Sequence, residues 1–250
     1  MTSRVFLVRH GETEWSRSGL HTSTTDVPLS PEGEKQVQLA HEAFVGEGKL
    51  INPHDICQIY SSPMGRAKRT VELLRLGIHA HHHFKDRTLG TEEISKAPTN
   101  TSETTVEVTP WLKEWDYGEY EGLTINQVHK LRRDRGLDRG RGWNIWLDGC
   151  EAGESPQQVS DRLDHLIAEM KIQIRRICSE TDGGHNASGP RNIVCVAHGH
   201  ILAALALRWA GQPLKNGMRM LMETAGVAVL GFEHDDLDEP AIILGRKPGK

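Results

Sequence analysis

The 250-residue sequence is poor in cysteine and in aromatic residues, and it contains no long hydrophobic run. Its four cysteines, Cys57, Cys150, Cys178 and Cys195, lack the C-x-x-C spacing of a zinc knuckle and suggest no disulfide framework. Reduced thiols are typical of a cytoplasmic protein, which is the location we expect. No stretch approaches the length of a membrane span, and the N-terminus lacks the apolar run of a signal peptide.

The charge balance shows only a small acidic excess. The chain has 30 Lys and Arg against 34 Asp and Glu, a net charge of -4, and both signs are mixed along the sequence. This pattern indicates a well-solvated surface and argues against nonspecific nucleic-acid binding. We therefore expect neither a nucleic acid nor a membrane as a partner, and the sequence leaves homo-oligomer formation open. No linker divides the chain, so we expect a single domain of residues 1–250.

The sequence does contain short apolar runs that alternate with amphipathic segments. Strands are predicted at 4–8, 56–60, 105–108, 193–197, 227–232 and 241–244, and helices at 31–44, just after 63, and at 124–135, 155–178 and 201–209. This alternation predicts an α/β fold, a three-layer α/β/α sandwich around a mostly parallel sheet. A Gly- and Trp-rich loop is expected at 136–153. An irregular insertion is expected around 76–110, and its histidine-rich run at 79–83 is interpreted as a polar surface loop because no metal-ligand spacing supports a site.

Charged and nucleophilic residues follow the predicted strands. The first strand ends on Arg9-His10-Gly11, the helix after the second strand carries Arg66, and the strand at 193–197 ends on His198. The carboxyl ends of parallel strands share one edge of a sheet, where α/β folds bind their ligands. We therefore expect these side chains to converge, and two arginines with two histidines suit attack on a phosphoryl group.

The chemistry of phosphoryl transfer assigns a task to each of these residue types. A neutral imidazole attacks a phosphate dianion readily, and the permanent charge of Arg9 would keep His10 neutral. Arginine forks, a protonated His198 and backbone N–H groups could hold the equatorial oxygens of the transition state. The leaving alkoxide needs a proton from a carboxylic acid. The acidic stretch near 111–122 offers several candidates without choosing among them, namely Glu114, Asp116, Glu119 and Glu121.

Five blocks of the sequence resemble the histidine phosphatase superfamily, also called phosphoglycerate mutase-like. They are Arg9-His10-Gly11-Glu12-Thr13, Ser61 to Ala67 with Arg66, Leu112-Lys113-Glu114, Gly118 to Gly122, and His198-Gly199-His200, in the family's order over almost the whole chain. The resemblance implies a phosphoglycerate mutase-like fold, a phosphohistidine intermediate, and no metal or other cofactor. It implies that His10 is the nucleophile and that Glu114 donates and accepts the proton. It also implies a phosphate pocket formed by Arg9, Arg66 and His198, with help from Ser16 and the Gly199 amide.

A closer resemblance is to the fungal sedoheptulose-1,7-bisphosphatase branch, carried by 114–118, 135–138, 143–146, 148–151 and 238–241. That branch dephosphorylates the 1-position of ketose bisphosphates. The resemblance implies a sugar site lined by His21, Thr22, Trp115, Asp116 and Tyr117, although Trp115 and Tyr117 are also compatible with core or lid aromatics.

This chain departs from that branch in several places. His21 replaces a Tyr, Ala203 replaces an Arg, the segment 209–223 is shorter, and Thr224-Ala225-Gly226 replaces a more Gly-rich turn. A missing arginine would weaken the grip on a distal phosphate, because one charge-assisted contact contributes about 1.5–3 kcal/mol.

The sequence thus predicts a metal-independent sugar-phosphate phosphatase. A phosphoglycerate mutase is the nearest alternative, since it uses the same pocket but must shield its phosphoenzyme from water. A module that binds a phosphorylated metabolite without catalysis is the alternative of another class, although both the nucleophile and the acid are present.

Overall fold

The central element of the fold is a seven-stranded sheet with the strand order β3-β4-β2-β5-β1-β6-β7. The computed structural model describes residues 3–76, 84–86, 106–138, 140–181, 189–216 and 218–245. The strands are β1 Val5–Arg9, β2 Ile56–Ser61, β3 Phe84–Asp86, β4 Val106–Val108, β5 Asn192–Ala197, β6 Val227–Phe232 and β7 Pro240–Ile243. The strands from β3 to β1 are parallel, whereas β6 is antiparallel to β1 and β7 to β6. The predicted mostly parallel sheet is confirmed.

Helices cover both faces of this sheet. They are α1 Glu14–Arg17, α2 Pro31–Phe44, α3 Gly65–Leu74, α4 Ile125–Asp134, α5 Ile145–Asp148, α6 Pro156–Thr181 and α7 Gly199–Trp209. One hydrophobic core lies under α2 and α3, and a second lies under α6 and α7. Alternate residues of β1 serve the two cores: Val5 and Leu7 pack with α6 and α7, while Phe6 and Val8 pack with α2 and α3. The three-layer α/β/α sandwich is therefore confirmed.

The helix starts follow from local capping chemistry. Ser30 accepts a hydrogen bond from Gly33 N at 3.0 Å, and Pro31 takes the first helical position of α2. At the start of α6, Ser155 Oγ accepts from Gln158 N and Gln158 Oε1 accepts from Ser155 N, an arrangement known as a capping box. Side-chain acceptors thus satisfy backbone N–H donors at the N-terminal ends of α2 and α6.

Two details of the region between α3 and α6 differ from expectation. The loop expected at 136–153 contains a single helical turn, α5, capped by Asn144. Within the insertion expected at 76–110, β3 extends the sheet beside β4, a strand too short to leave a periodic signal. The histidine-rich run at 79–83 lies outside the described residues.

Gly11 is required by close packing. A Cβ at Gly11 would lie 2.3 Å from the Gly33 carbonyl oxygen. A Cβ at Gly33 would in turn lie 2.0 Å from Glu12 O. The start of α2 therefore packs directly on the backbone that follows His10 and fixes its position.

The parallel strands bring their carboxyl ends to one edge. There β1 ends at Arg9, β2 ends at Ser61 before α3, and β5 ends at Ala197 before His198. The chain leaving β4 at this edge reaches Glu114 after one short turn, Pro110–Leu112. This edge is therefore the expected ligand-binding edge. In the described part of the chain, every helix is too short or too polar to span a lipid bilayer.

Candidate active site

His10 occupies the centre of this edge and is 5% exposed. Its Nδ1 lies 2.7 Å from the carbonyl oxygen of Gly11. Because a carbonyl only accepts, Nδ1 carries the proton and Nε2 keeps its lone pair. Burial is the main cause that lowers the pKa of His10 from 6.5 to about 3, and the charges of Arg66 and Arg9 add to it. The ring is therefore a neutral nucleophile, although burial contributes more than the arginine that the sequence pointed to.

Arg9 provides a cation beside this imidazole. One guanidinium nitrogen donates to Met222 O at 2.6 Å, whereas its buried Nε has no acceptor among the described residues. The guanidinium lies against the first turn of α7, where a Cβ at Gly199 would be 3.4 Å from Arg9 Cζ. Among the described residues no acceptor is assigned to the Gly199 N–H. Arg9 and Gly199 both line the space in front of His10, and the Arg9 charge with the N–H groups at the start of α7 suits an anion there.

Arg66 and His198 lie behind His10 and do not line the cavity. Arg66 is fully buried, and its guanidinium donates to the carbonyls of Thr25 and Ser23. Its Nε donates to His198 Nδ1 at 3.2 Å, so His198 Nε2 carries the proton and donates to Ser62 Oγ at 2.7 Å. Arg66 therefore anchors the loop at 22–26 and sets the tautomer of His198.

His198 is neutral in the free site, because its Nδ1 accepts the hydrogen bond from Arg66; the protonated form expected at the transition state stays a prediction. Burial is the main cause that holds the pKa of His198 well below its ordinary value, followed by the charge of Arg66. The His10 and His198 rings meet edge to face, with centroids 5.0 Å apart. His198 is thus a neutral ring that packs against the nucleophile.

Glu114 is the acid that the fold brings to this cavity. Its Oε1 accepts hydrogen bonds from the backbone N–H groups of Trp115 at 2.9 Å and Ile201 at 2.8 Å, and its Oε2 accepts one from His200 N at 3.1 Å. The carboxylate therefore caps the first turn of α7 from another part of the chain. Oε2 accepts one hydrogen bond from the protein whereas Oε1 accepts two, so Oε2 has more acceptor capacity left for a ligand.

The other three acids that the sequence could not separate from Glu114 have structural partners. Glu121 accepts bonds from the backbone of Ser23 and Thr25. Asp116 accepts from Gly118 N, and Glu119 pairs with a surface arginine, Arg135. None of these three lines the cavity. The structure thus separates the candidates by position, which composition could not.

A cavity of about 240 Å³ opens in front of His10. Its lining consists of Arg9, His10, Thr13, Ser16, Gly19, Leu20, His21, Thr22, Glu114, Tyr117, Gly199, His200, Met220, Leu221 and Met222. Four residues expected in substrate binding, Ser16, His21, Thr22 and Tyr117, are among them, as is Gly199. Imidazole, phenol and hydroxyl groups therefore surround the space beyond the phosphate position.

Trp115 and Asp116 do not belong to that lining, which corrects the expectation of a sugar-site role for them. Trp115 is fully buried, and its Nε1 donates to Glu154 O at 2.9 Å. Asp116 turns back to Gly118 N at 2.9 Å. The two residues flank Glu114 in sequence, but their side chains point away from the cavity and support the segment.

His200 and the segment 220–222 line the cavity although sequence reasoning gave them little or no weight. His200 Nδ1 is 2.6 Å from the Tyr117 hydroxyl, and burial lowers the pKa of His200. His21 stacks on His200, with ring planes 5° apart, and meets Tyr117 edge to face. The H-G-H spacing was a usable signal for His200, because residues that open a helix after a strand often face a ligand. The apolar 220–222 segment carries no such signal.

Comparison with known proteins places the chain in a family. Residues 5–103 and 85–240 match the histidine phosphatase superfamily (branch 1), and the chain belongs to that superfamily. Sedoheptulose 1,7-bisphosphatase of Saccharomyces cerevisiae is 32% identical, over 98% of this chain and 93% of its own length. An acid phosphatase of Mycobacterium tuberculosis is 36% identical, over 92% of this chain and 87% of its own.

A solved structure extends the comparison to the fold. The structure of an open reading frame of Mycobacterium tuberculosis has a TM-score of 0.67 and 32% identity, over 98% of this chain and 97% of the other. Proteins named as phosphoglycerate mutases match at lower identity, 26% for a probable phosphoglycerate mutase of Salmonella choleraesuis. The comparisons confirm the predicted class, a phosphoric monoester hydrolase, and favour it over a mutase.

Proposed function

We propose that this protein hydrolyses the phosphate monoester of a sugar, with ketose phosphates as its preferred class, through a phosphohistidine on His10. The observation that carries the proposal is the hydrogen bond from His10 Nδ1 to Gly11 O, which leaves Nε2 free at the cavity. Arg9 and the Gly199 N–H supply donors for phosphate oxygens, and Glu114 supplies the acid. Arg66 and His198 belong to the pocket as buried supports of His10.

In the first step, the Nε2 lone pair of His10 attacks phosphorus and forms the P–N bond. The P–O ester bond breaks, and the leaving oxygen takes its proton from the Glu114 carboxyl. The neutral state of His10 makes the attack possible, since burial and two arginines keep the ring unprotonated. The Arg9 charge offsets the charge that develops on the phosphoryl oxygens.

In the second step, Glu114 acts as the base. It removes a proton from water, the water oxygen attacks phosphorus, and the P–N bond breaks with its electron pair returning to the imidazole. Inorganic phosphate leaves and Glu114 is again protonated, as microscopic reversibility requires. The same carboxyl thus serves both steps from one position at the start of α7.

A ketose phosphate is proposed because of the yeast relative named sedoheptulose 1,7-bisphosphatase and because of the cavity wall. Ser16, His21, Thr22, Tyr117 and His200 offer hydroxyl and imidazole groups to sugar hydroxyls. A phosphate-release screen over ketose, aldose and polyol phosphates tests this class, beginning with sedoheptulose 1,7-bisphosphate. Higher kcat/KM for aldose or polyol phosphates than for every ketose phosphate would contradict the ketose assignment.

The mechanism is tested with His10→Ala. This variant should release no phosphate and trap no acid-labile phosphoenzyme. His41→Ala is the matched control, because His41 also bonds a backbone carbonyl through Nδ1, that of Leu74, yet lies on α2 away from the cavity. Substantial turnover by His10→Ala sinks the nucleophile assignment. Formation of 2-phosphoglycerate from 3-phosphoglycerate without phosphate release would favour a mutase instead.

A further inference from the structure

Arg162 makes an unusually complete set of contacts for a residue that does not line the cavity. It lies on α6 and its side chain is 10% exposed. Nε and Nη2 bind the two carboxylate oxygens of Glu154 at 2.7 and 2.8 Å. Nη1 donates to the carbonyls of Trp111 and Lys113 at 2.6 and 3.0 Å, and Nη2 donates to Glu114 O at 3.3 Å. The five N–H donors of a guanidinium are thus all used.

The backbone that Arg162 holds has few hydrogen bonds of its own. Residues 113–117 form no regular helix or strand, so no ladder of backbone hydrogen bonds fixes Glu114. Arg162 instead binds the carbonyls on the amino side of the acid and that of the acid itself. Its partner Glu154 holds the other side, since Glu154 Oε2 accepts from Asp116 N and Glu154 O accepts from Trp115 Nε1, both at 2.9 Å.

We propose that Arg162 is a positioning residue for the proton donor Glu114, acting with Glu154 as a clamp on the loop 111–116. The inference rests on the proposed function, because it assumes that Glu114 donates the proton. The long helix α6 is a rigid base for this clamp, whereas the loop is irregular. A displacement of the loop would move the Glu114 carboxyl off the Ile201 and His200 N–H groups and away from the leaving oxygen.

Only arginine suits this position. A planar guanidinium reaches two carboxylate oxygens and three carbonyls at once, whereas a lysine ammonium has three donors on a single nitrogen. Arg162→Lys should therefore keep the charge but lose most of the clamp. The salt bridge to Glu154 alone, which lysine can keep, does not fix the carbonyls of Lys113 and Glu114.

The test uses the dependence of the reaction on its leaving group. An alkyl phosphate such as fructose 1-phosphate needs a proton on its leaving oxygen, whereas 4-nitrophenyl phosphate releases a stable anion without one. A displaced Glu114 therefore lowers kcat/KM for the alkyl ester and spares it for the aryl ester. We expect Arg162→Gln to lower the alkyl value on the order of 100-fold, with Arg162→Lys and Glu154→Gln showing the same selectivity. A general loss of folded enzyme would lower both values equally.

Two further variants make the result decisive. Glu114→Gln is the benchmark for the loss of the acid. Arg208→Gln is the matched control, because Arg208 pairs through Nε and Nη2 with Asp164 at 2.8 Å on the surface between α7 and α6, away from the cavity. Arg208→Gln should leave kcat/KM unchanged for both substrates. If Glu114→Gln is selective and the Arg162 and Glu154 variants are not, the clamp is refuted alone. If Glu114→Gln lowers both values equally, the acid assignment and the clamp both fail.

Discussion

Glu114 Oε1 accepts a hydrogen bond from the backbone N–H of Ile201 at 2.8 Å. The acid of one loop is thereby bound to the first turn of the helix that begins after His198 and presents the Gly199 N–H to the cavity. Proton donor and phosphate donors are held in one frame by a single helix start. Fixed geometry of this kind, rather than contact strength, is what makes proton transfer to a leaving oxygen efficient.

Replacing Glu114 with Gln should separate the two chemical steps. With 4-nitrophenyl phosphate the first step needs no proton, so the variant should form phosphoenzyme and release 4-nitrophenolate in a burst. The second step needs a base for water, so kcat should fall by about 100-fold or more. Rapid-mixing measurement of the burst and acid-labile trapping of the phosphoenzyme check this. A burst that is absent while steady turnover stays normal would exclude Glu114 as the base.

The sequence could predict which residues form this site, but not which role each of them has. The predicted strand ends and the motif order indicate that Arg9, His10 and His198 share one edge of the sheet. The hydrophobic pattern locates the strands, and parallel strands end at the same edge. Which side chains face the cavity depends on contacts between distant segments. The Arg66 guanidinium donates to carbonyls in the segment 22–25, and the Trp115 indole N–H donates to Glu154 O. Neither hydrogen bond leaves a recognisable pattern in the local sequence.

The histidine at the centre of the site should make stability depend on pH. Burial lowers the pKa of His10 from 6.5 to about 3 in the folded protein. Between these values the unfolded chain binds a proton that the folded chain does not, so stability falls as the pH drops from 6.5 towards 3. At pH 5, His10 alone should lower the free energy of unfolding by about 2 kcal/mol relative to pH 8.

Urea unfolding of wild type and His10→Asn at pH 8 and pH 5 measures this contribution. Asparagine can donate to Gly11 O as the imidazole does, but it does not titrate. The variant should therefore lose less stability between the two pH values than wild type, by that same amount. His198 and His200 have pKa values shifted in the same direction and should leave a residual pH dependence in the variant. Equal pH dependence of the two proteins would contradict a strongly lowered pKa for His10.

His21 should set affinity for the sugar part of the substrate. Its Nδ1 is 2.7 Å from Leu123 O and so carries the proton, which leaves Nε2 as an acceptor in a residue that lines the cavity. His21→Phe keeps an aromatic ring against Tyr117 and removes that acceptor. We expect kcat/KM for fructose 1-phosphate to fall about tenfold, the worth of one hydrogen bond. The kcat/KM for 4-nitrophenyl phosphate should be unaffected. The substitution His165→Phe on the surface serves as the control. Equal loss on both substrates would instead indicate general damage to the site.

A second phosphate on the substrate should add little to binding. Among the described residues that line the cavity, Arg9 is the only Arg or Lys, and it lies beside the nucleophile. We expect kcat/KM for fructose 1-phosphate and fructose 1,6-bisphosphate to be similar, whereas one further cation contact would favour the bisphosphate by about 10-fold or more. Steady-state phosphate release from the two substrates decides it. A large preference for the bisphosphate would require a distal cation that is absent from this lining.

An arginine at position 203 would not supply such a cation to the cavity. Ala203 is 1% exposed in the core between α7 and α6, with apolar neighbours in the same cluster that include Leu163 and Leu207. An arginine there would overpack the core and bury an unpaired charge, so Ala203→Arg should lower the free energy of unfolding by about 3 kcal/mol or more without raising bisphosphate preference. Urea unfolding and the substrate ratio are measured together, with Ala210→Arg at the more exposed end of α7 as control. An Ala203→Arg protein of unchanged stability that gains bisphosphate preference would show that a side chain at this position can reach the cavity.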